Sequence, residues 1–301
     1  ILTLLLAPKR RLNVFRNRNF YQKGRTIKLS HSPFRAMMIG AHPDDCDLST
    51  YAVTSLLTAK GCSVRYVSVT TGNAGHQTLR GAELAKIRAA EAQASAALLG
   101  ISYEILPFDD GRLTPSLEAR DAVMRSIRRF RPDVIFTNRP CDYHPDHRTT
   151  ARLVQDCSYL LGVPAICEDT PPLQTVPTIL YWHDSFTEAA PFRPDYAISA
   201  DFARETLFQI QCCHASQFLD WLPWIDDKVD LAGKSYEERR AFVRRQFEAQ
   251  TGNVDDAVRR RLAAQYGAEK AASVRFAESW QVSEYGADVS PQLANLLTLP
   301  L

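Results

Sequence analysis

Three observations on this 301-residue sequence predict an α/β fold, a mostly parallel sheet with helices on both faces and extra helices near the C-terminus. Short apolar, β-rich runs alternate with segments of helical apolar spacing, and the connections between them are short. Glycines and prolines fall at the junctions. Two clusters rich in His, Pro and Asp each follow an apolar run, the place where an open parallel sheet binds its ligands.

The first strand is the run Met37-Met38-Ile39-Gly40-Ala41, which stops at His42-Pro43-Asp44-Asp45-Cys46-Asp47. Leu48, Tyr51, Ala52, Ser55, Leu56 and Ala59 then recur at helical spacing, and Lys60-Gly61 closes that helix. Val and Tyr content makes Ser63 to Val69 a strand, ending in a loop punctuated by Gly72 and Gly75. Leu84, Ile87, Ala94 and Leu98 mark a second helix that ends at Gly100. Ile101 to Leu106 is the third strand, and Asp109-Asp110-Gly111 turns the chain. Thr114-Pro115 is read as the start of a third helix, with Pro at its first position. Val134-Ile135-Phe136 is a buried strand that delivers the chain to Tyr143-His144-Pro145-Asp146-His147. Right-handed crossovers place both His/Pro/Asp clusters on one edge of the sheet.

Beyond that the pattern loosens. Pro164, Pro171, Pro172 and Pro177 mark residues 163–177 as a loop, and Thr178 to Trp182 is a strand ending at His183-Asp184. Residues 201–217 read as one helix ending near His214-Ala215-Ser216-Gln217. Ser235 to Glu238 forms a capping box ahead of a helix bearing Tyr236, Val243 and Phe247. The Arg239-Arg240 and Arg244-Arg245 pairs are assigned to its solvated face.

Charge divides the chain unevenly. Residues 1–35 hold nine Lys or Arg and no acidic residue, so the rest sets 27 basic against 34 acidic residues, a net of −7. A mildly acidic body argues against binding a nucleic-acid backbone. Seven cysteines without CxxC spacing argue for reduced thiols in a cytoplasmic protein over a disulfide framework or structural zinc. No stretch reaches the length of a membrane span. Residues 1–34 are set aside as a basic, poorly ordered extension, leaving 35–301 as one domain. A homo-oligomer is left open.

A catalytic zinc site needs three protein ligands and an open position. His42, Asp45 and His147 supply two imidazoles and a carboxylate for one divalent ion, zinc first and iron(II) second. Such an ion acidifies water and polarises a carbonyl oxygen. Asp44, next to a ligand yet stereochemically separate, is the candidate base. His144, protonated and held so by Asp146, is the candidate donor to an oxyanion, with Tyr143 next in line. Each cluster alone also reads as a capped turn. An iron oxygenase with a His42, Asp44, His147 triad and an inactive, metal-binding sugar-recognition protein are the alternatives. An idle Asp45 weighs against the first, and an intact Asp44 against the second.

Ala41-His42-Pro43-Asp44-Asp45 and His144-Pro145-Asp146-His147 resemble the two signature motifs of the LmbE-like, or PIG-L, deacetylases. Thr70-Thr71-Gly72, Arg80-Gly81, the Glu83…Arg88…Glu91 helix and His214-Ala215-Ser216-Gln217 extend the resemblance. It implies a Rossmann-like fold and metal-dependent hydrolysis of an N-acetyl group, usually on an N-acetylglucosaminyl compound, a small amino-sugar conjugate. By the same resemblance His42, Asp45 and His147 hold the metal, and Asp44 is the base and later the acid for the leaving amine. His144 then assists the oxyanion and Asp146 tunes it. Arg88 matches a substrate-contacting arginine, against an i,i+3 pair with Glu91 on an exposed face. Arg80 and Tyr143 complete the substrate-binding set. Cys46 stands where the family commonly has Glu; its side chain is expected to point into packing, and a soft thiolate beside the metal would alter metal preference or sensitivity to oxidation. His76 and His183 are candidates to line the pocket, and His214 to sit at its rim or in the core; His31 falls in the segment set aside.

Overall fold

The computed structural model describes residues 33–298, so the reading of the basic segment lies outside the described residues except at Pro33 and Phe34. Phe34 is buried in the core, which therefore begins earlier than residue 35. Among the described residues the apolar runs form seven strands. They are β1 (Arg35–Gly40), β2 (Ser63–Thr70), β3 (Ser102–Phe108), β4 (Val134–Thr137), β5 (Thr178–Trp182), β6 (Tyr196–Ser199) and β7 (Ala277–Val282). Their spatial order is β3-β2-β1-β4-β5-β7-β6. The first five pair in parallel, and β7 runs antiparallel to both β5 and β6. The chain winds outward from β1 to β3 and returns to β4 on the other side of β1. The ends of β1 and β4 therefore form the switch point where the loops diverge and leave a crevice.

The helices are α1 (Asp45–Ala59), α2 (Gly81–Leu99), α3 (Leu117–Phe130), α4 (Pro145–Leu160), α5 (Arg204–Cys213), α6 (Leu222–Ile225), α7 (Tyr236–Ala249), α8 (Asp256–Tyr266), α9 (Ala268–Ser273) and α10 (Pro291–Leu296). Successive side chains of β1 point to opposite faces. Ala36 and Met38 pack with Tyr51, Ala92 and Phe208 from α1, α2 and α5, whereas Met37 and Ile39 pack with Met124 and Val154 from α3 and α4. A strand covered on both faces has no polar side, so β1 reads as a continuous apolar run.

Three elements differ from expectation. α3 starts at Leu117, because the Ser116 hydroxyl accepts the Ala119 N–H and caps the helix after the Thr-Pro pair. β3 extends from Ser102 to Phe108, two residues past the expected end. The helix expected over 201–217 is broken. A 3-10 turn (Asp201–Ala203) precedes α5, the chain departs from helical geometry at His214, and a π turn (Ser216–Trp221) leads into α6. The break has a polar cause, since the Glu91 carboxylate takes both the N–H and the hydroxyl of Ser216.

Two buried ionisable groups tie distant elements together. α1 is kinked at Thr50, and the N–H groups of Ala52 and Val53 just beyond the kink donate to the carboxylate of Glu278 on β7, at 2.7 and 2.9 Å. Arg128 at the end of α3 is almost fully buried, and among the described residues no carboxylate pairs with it. Its guanidinium donates to the carbonyls of Leu160, Leu161, Val163, Ile166, Cys167 and Thr170, satisfying the last turn of α4 and the loop after it. Arg128→Ala should lower the unfolding free energy in urea titrations by about 3 kcal/mol or more, because several buried carbonyls lose a charged donor at once. Arg128→Lys should recover only part, since an ammonium lacks the planar fork that spans them.

Candidate active site

The site starts where β1 ends. A side chain at Gly40 would lie 2.6 Å from Cβ of Asp45, so only glycine allows the chain to fold back so tightly. The returning Asp45 carboxylate accepts the N–H of Ala41 at 2.7 Å and of His42 at 3.0 Å through Oδ2. The carbonyl of Ala41 is pinned in turn by the N–H and hydroxyl of Thr70 and by the Ser68 hydroxyl. Gly72, at φ +66°, completes the turn after β2, where a side chain would strike Pro43. These contacts account for the Thr70-Thr71-Gly72 segment noted in the sequence.

From the neighbouring strand β4 the chain reaches His144, the N-cap of α4, with Pro145 in its first turn. His42 Nδ1 and His147 Nε2 face each other at 3.2 Å. Asp45 closes the triangle, Oδ1 lying 3.4 Å from His147 Nε2 and Oδ2 3.7 Å from His42 Nδ1. The opposite nitrogen of each ring meets carboxylates. His147 Nδ1 lies 3.0 Å from Asp142 Oδ1, and His42 Nε2 lies 3.1 Å from Asp110 Oδ1 and 3.4 Å from Asp146 Oδ2. With their protons on those outer nitrogens, both rings turn a lone pair inward beside a third donor. Two ligand atoms each ~2.0–2.1 Å from a tetrahedral ion lie about 3.3 Å apart, so the triangle has the dimensions of a divalent-cation site. The outer carboxylates orient the rings as they do in metal sites generally. His144 also offers a ring nitrogen within 4.8 Å of those of His42 and His147.

Burial lowers the basicity of His42, but Asp110, Asp146 and Asp45 outweigh it and leave the imidazole well above its usual range. His147 is likewise disfavoured by burial and raised to about 10 by Asp45 and Asp142. Burial opposes ionisation of Asp45, yet the two imidazoles hold it well below the carboxylate range. Asp44 shifts upward, through burial and then the charge of Asp45, with Arg88 pulling the other way.

Asp44 is buried, and its side chain does not cap α1 although it occupies the N-cap position. Among the described residues no ion pair joins it to either imidazole; Asp45 is the carboxylate that contacts both. The H-x-D arrangement of an oxygenase triad is therefore not the one formed here.

His144 and Asp146 are arranged differently from expectation. His144 Nδ1 accepts the backbone N–H of Asp146 at 3.2 Å, which leaves its proton on Nε2. Burial, followed by the charges of His42 and His147, lowers its basicity, which together with that contact favours a neutral ring that donates through Nε2. The Asp146 carboxylate accepts the N–H groups of Gly111 and Leu113 and faces His42 instead.

Asp44, Asp45, Asp110 and Asp142 line a cavity of about 920 Å³ with His42, His144 and His147, and Arg88, Asn138, Tyr143 and Gln217 line it too. Arg88 is buried and donates to the Gly75 carbonyl and to Gln217, while Glu91 is engaged with Ser216; the expected Arg88–Glu91 pair does not form. The Nε of Arg88 and the Oδ1 of Asn138 are buried without partners. Tyr143 lines the cavity and is 73% exposed. Arg80 is exposed at the N-cap of α2 and is not a lining residue. His183 lines the cavity, whereas His76 caps its own turn through the N–H groups of Thr78 and Leu79. His214 is wholly buried, 3.4 Å from Asp47. The Cys46 thiol points to the Val67 carbonyl within the core, and burial raises it well above the thiol range, so no thiolate stands beside the site. Asp110, Asp142 and Asn138 were not expected from the sequence. Asp110 resembled an ordinary turn acid, though its place after β3 at the same sheet edge was a usable signal.

Comparison with known proteins gives three kinds of similarity. The family model described as PIG-L, GlcNAc-PI de-N-acetylase, matches residues 37–158, which carry both clusters. The diacetylchitobiose deacetylase of Thermococcus kodakarensis is 28% identical over 231 residues, covering 69% of this chain and 83% of its own. The solved N,N'-diacetylchitobiose deacetylase of Pyrococcus horikoshii is 26% identical with a TM-score of 0.61, covering 83% of this chain and 84% of its own. The 4-carboxy-2-hydroxymuconate hydratase GalB of Pseudomonas putida shares the fold at 18% identity, with a TM-score of 0.59 and coverage of 83% and 95%.

A pH dependence follows from the imidazoles. Without a cation, the folded His147 value of about 10 lies above the ordinary 6.5. Its contribution to stability is complete below the ordinary value and is lost as pH rises through the folded one. Chelator-treated protein should therefore lose unfolding free energy across that window in urea titrations. His147→Gln should flatten the loss, and an added divalent cation, which competes with the protons, should oppose it.

Proposed function

We propose that this chain, whose residues 37–158 match the PIG-L family model, is a metal-dependent hydrolase that removes the N-acetyl group of an N-acetylglucosaminyl-type substrate. The observation that carries this reading is the convergence of three lone-pair donors, His42 Nδ1, His147 Nε2 and Asp45, beside an uncoordinated buried carboxylate, Asp44, in one cavity. Those three donors would hold one divalent ion, with zinc the first to test and iron(II) the second. Bound there, the ion supplies a Lewis acid that polarises the amide carbonyl and acidifies water.

The remaining work belongs to the side chains. Asp44 accepts the proton of the attacking water, a step its raised basicity favours. The carbonyl oxygen gains negative charge as the carbon becomes tetrahedral, and the Nε2–H of neutral His144 donates to it. Asp44 then returns the proton to the amine nitrogen as the C–N bond breaks, giving acetate and a free amino group. Asp110, Asp142 and Asp146 hold the two imidazoles with their inner lone pairs exposed. Arg88, fixed by Gln217 and Gly75, and the exposed Tyr143 serve the sugar. Seven free thiols suit a reducing, cytoplasmic setting, and among the described residues no helix is long and apolar enough to cross a membrane.

Acetate release from N-acetylglucosaminyl compounds, abolished by chelator and restored by a divalent ion, tests the reading. Asp44→Asn should keep the metal and lose turnover by about 10²–10⁴-fold. His147→Ala should lose the metal itself, as measured by elemental analysis. Retention of full metal by His147→Ala would overturn the proposed ligand set.

His144→Ala should lower turnover by about 10²–10³-fold with the metal kept. Because the donor is a neutral imidazole, the alkaline limb of the pH–rate profile should stay where it is. A limb that moved with this substitution would show that His144 acts as an imidazolium.

A further inference from the structure

The segment after α5 carries a feature that acetamide hydrolysis alone does not use. Trp221 closes the π turn Ser216–Trp221 and lines the cavity together with Leu222 and Ile225. Trp224, one helical turn on, stacks against it with ring centroids 5.3 Å apart and planes at 23°. Trp224 remains 39% exposed. Two large apolar rings left partly in water at a cavity mouth mark a binding surface more often than a packing accident.

The segment is also held still. Glu91 receives the N–H and hydroxyl of Ser216 at 2.7 Å each, Gln217 accepts from Arg88, and Asp220 accepts from Arg239. The same turn therefore sets Gln217 on the cavity arginine and Trp221 on the cavity wall. π turns of this kind recur at functional sites, because the extra residue re-aims the side chains that follow. Trp224 stacks on one face of the Trp221 ring, which lines the cavity and stays partly exposed.

Resting on the deacetylase reading, we propose that Trp221 is the stacking platform for the sugar ring next to the one that carries the reacting acetamide, so that the substrate is an oligosaccharide of N-acetylated amino sugars. The C–H face of an equatorially substituted pyranose is apolar and matches an indole in area, while its rim of hydroxyls needs polar partners. The cavity wall supplies both, since Asp226 and Asn138 line it with Trp221. A lipid aglycone would want a wall without those polar groups. Trp224 acts as a positioning residue behind the platform.

The test compares chain lengths in the metal-loaded enzyme. Trp221→Ala should raise KM for N,N'-diacetylchitobiose about tenfold with kcat unchanged, and leave kcat/KM for N-acetylglucosamine within about twofold. Trp221→Phe should recover most of the loss, and Trp224→Ala should show a smaller KM effect. Equal losses on both sugars, or none on either, would overturn the platform. Binding provides a second readout independent of turnover: diacetylchitobiose should quench the tryptophan fluorescence of the wild type, and Trp221→Ala should lose most of that quench. If the wild type released acetate from neither sugar, the deacetylase reading would fail on its own. The fluorescence titration would then decide the platform, with an unchanged quench in Trp221→Ala counting against it.

Discussion

One carboxylate sets the terms for the rest of the molecule. Asp45 turns back on the end of β1 and binds the N–H groups of Ala41 and His42 through one oxygen, while it faces both imidazoles. Its position fixes the His42 backbone relative to the sheet, and so fixes where the second cluster must arrive. That arrival is a property of topology: β4 lies beside β1 in parallel, and both chains leave the sheet at the same edge. The tight return in turn demands glycine at position 40, and the anchoring of Ala41 demands hydroxyls at positions 68 and 70. A few positions in two strands thus share responsibility for one geometry.

Charge explains why this geometry favours a cation. Asp45, Asp110, Asp142 and Asp146 surround two imidazoles, so without an ion the rings must hold extra protons to balance the acids. Protons on the inner nitrogens would face one another across 3.2 Å, an arrangement a single divalent ion relieves. Asp44 stands apart from this exchange, held between the opposing influences of Asp45 and Arg88. Asp44 and Asp45 differ in this respect because their side chains leave a single turn in different directions.

The parallel half of the sheet was legible because strands buried on both faces are largely apolar, as Ala36–Ile39 of β1 and Val134–Phe136 of β4 are. The site histidines were legible because they follow those strands directly. What stayed hidden depends on partners distant in sequence. Asp142 and Asp110 look like loop acids until His147 and His42 are placed beside them. The break at His214 follows from a carboxylate on α2, which no local pattern reports. β7, reading Ala277-Glu278-Ser279-Trp280-Gln281-Val282, contains as many polar as apolar residues, and β6 has four residues; neither carries the apolar signature of its neighbours. The partner of Asp146 was hidden for the same reason. Sequence proximity suggested a pair with His144, whereas the backbone turns that carboxylate towards His42.

The kink in α1 joins the beginning of the fold to its far end. The N–H groups exposed just past Thr50 find their acceptor on Glu278, in the last strand of the sheet to be made. The helix that follows directly from Asp45 therefore stays incompletely satisfied while most of the chain is being synthesised. During translation the sheet edge can form as soon as β4 emerges, but the helix behind the reactive loop is secured only after residue 278 leaves the ribosome. A nascent chain stalled before that point would carry every residue of the cation site and still lack the support that keeps them in register.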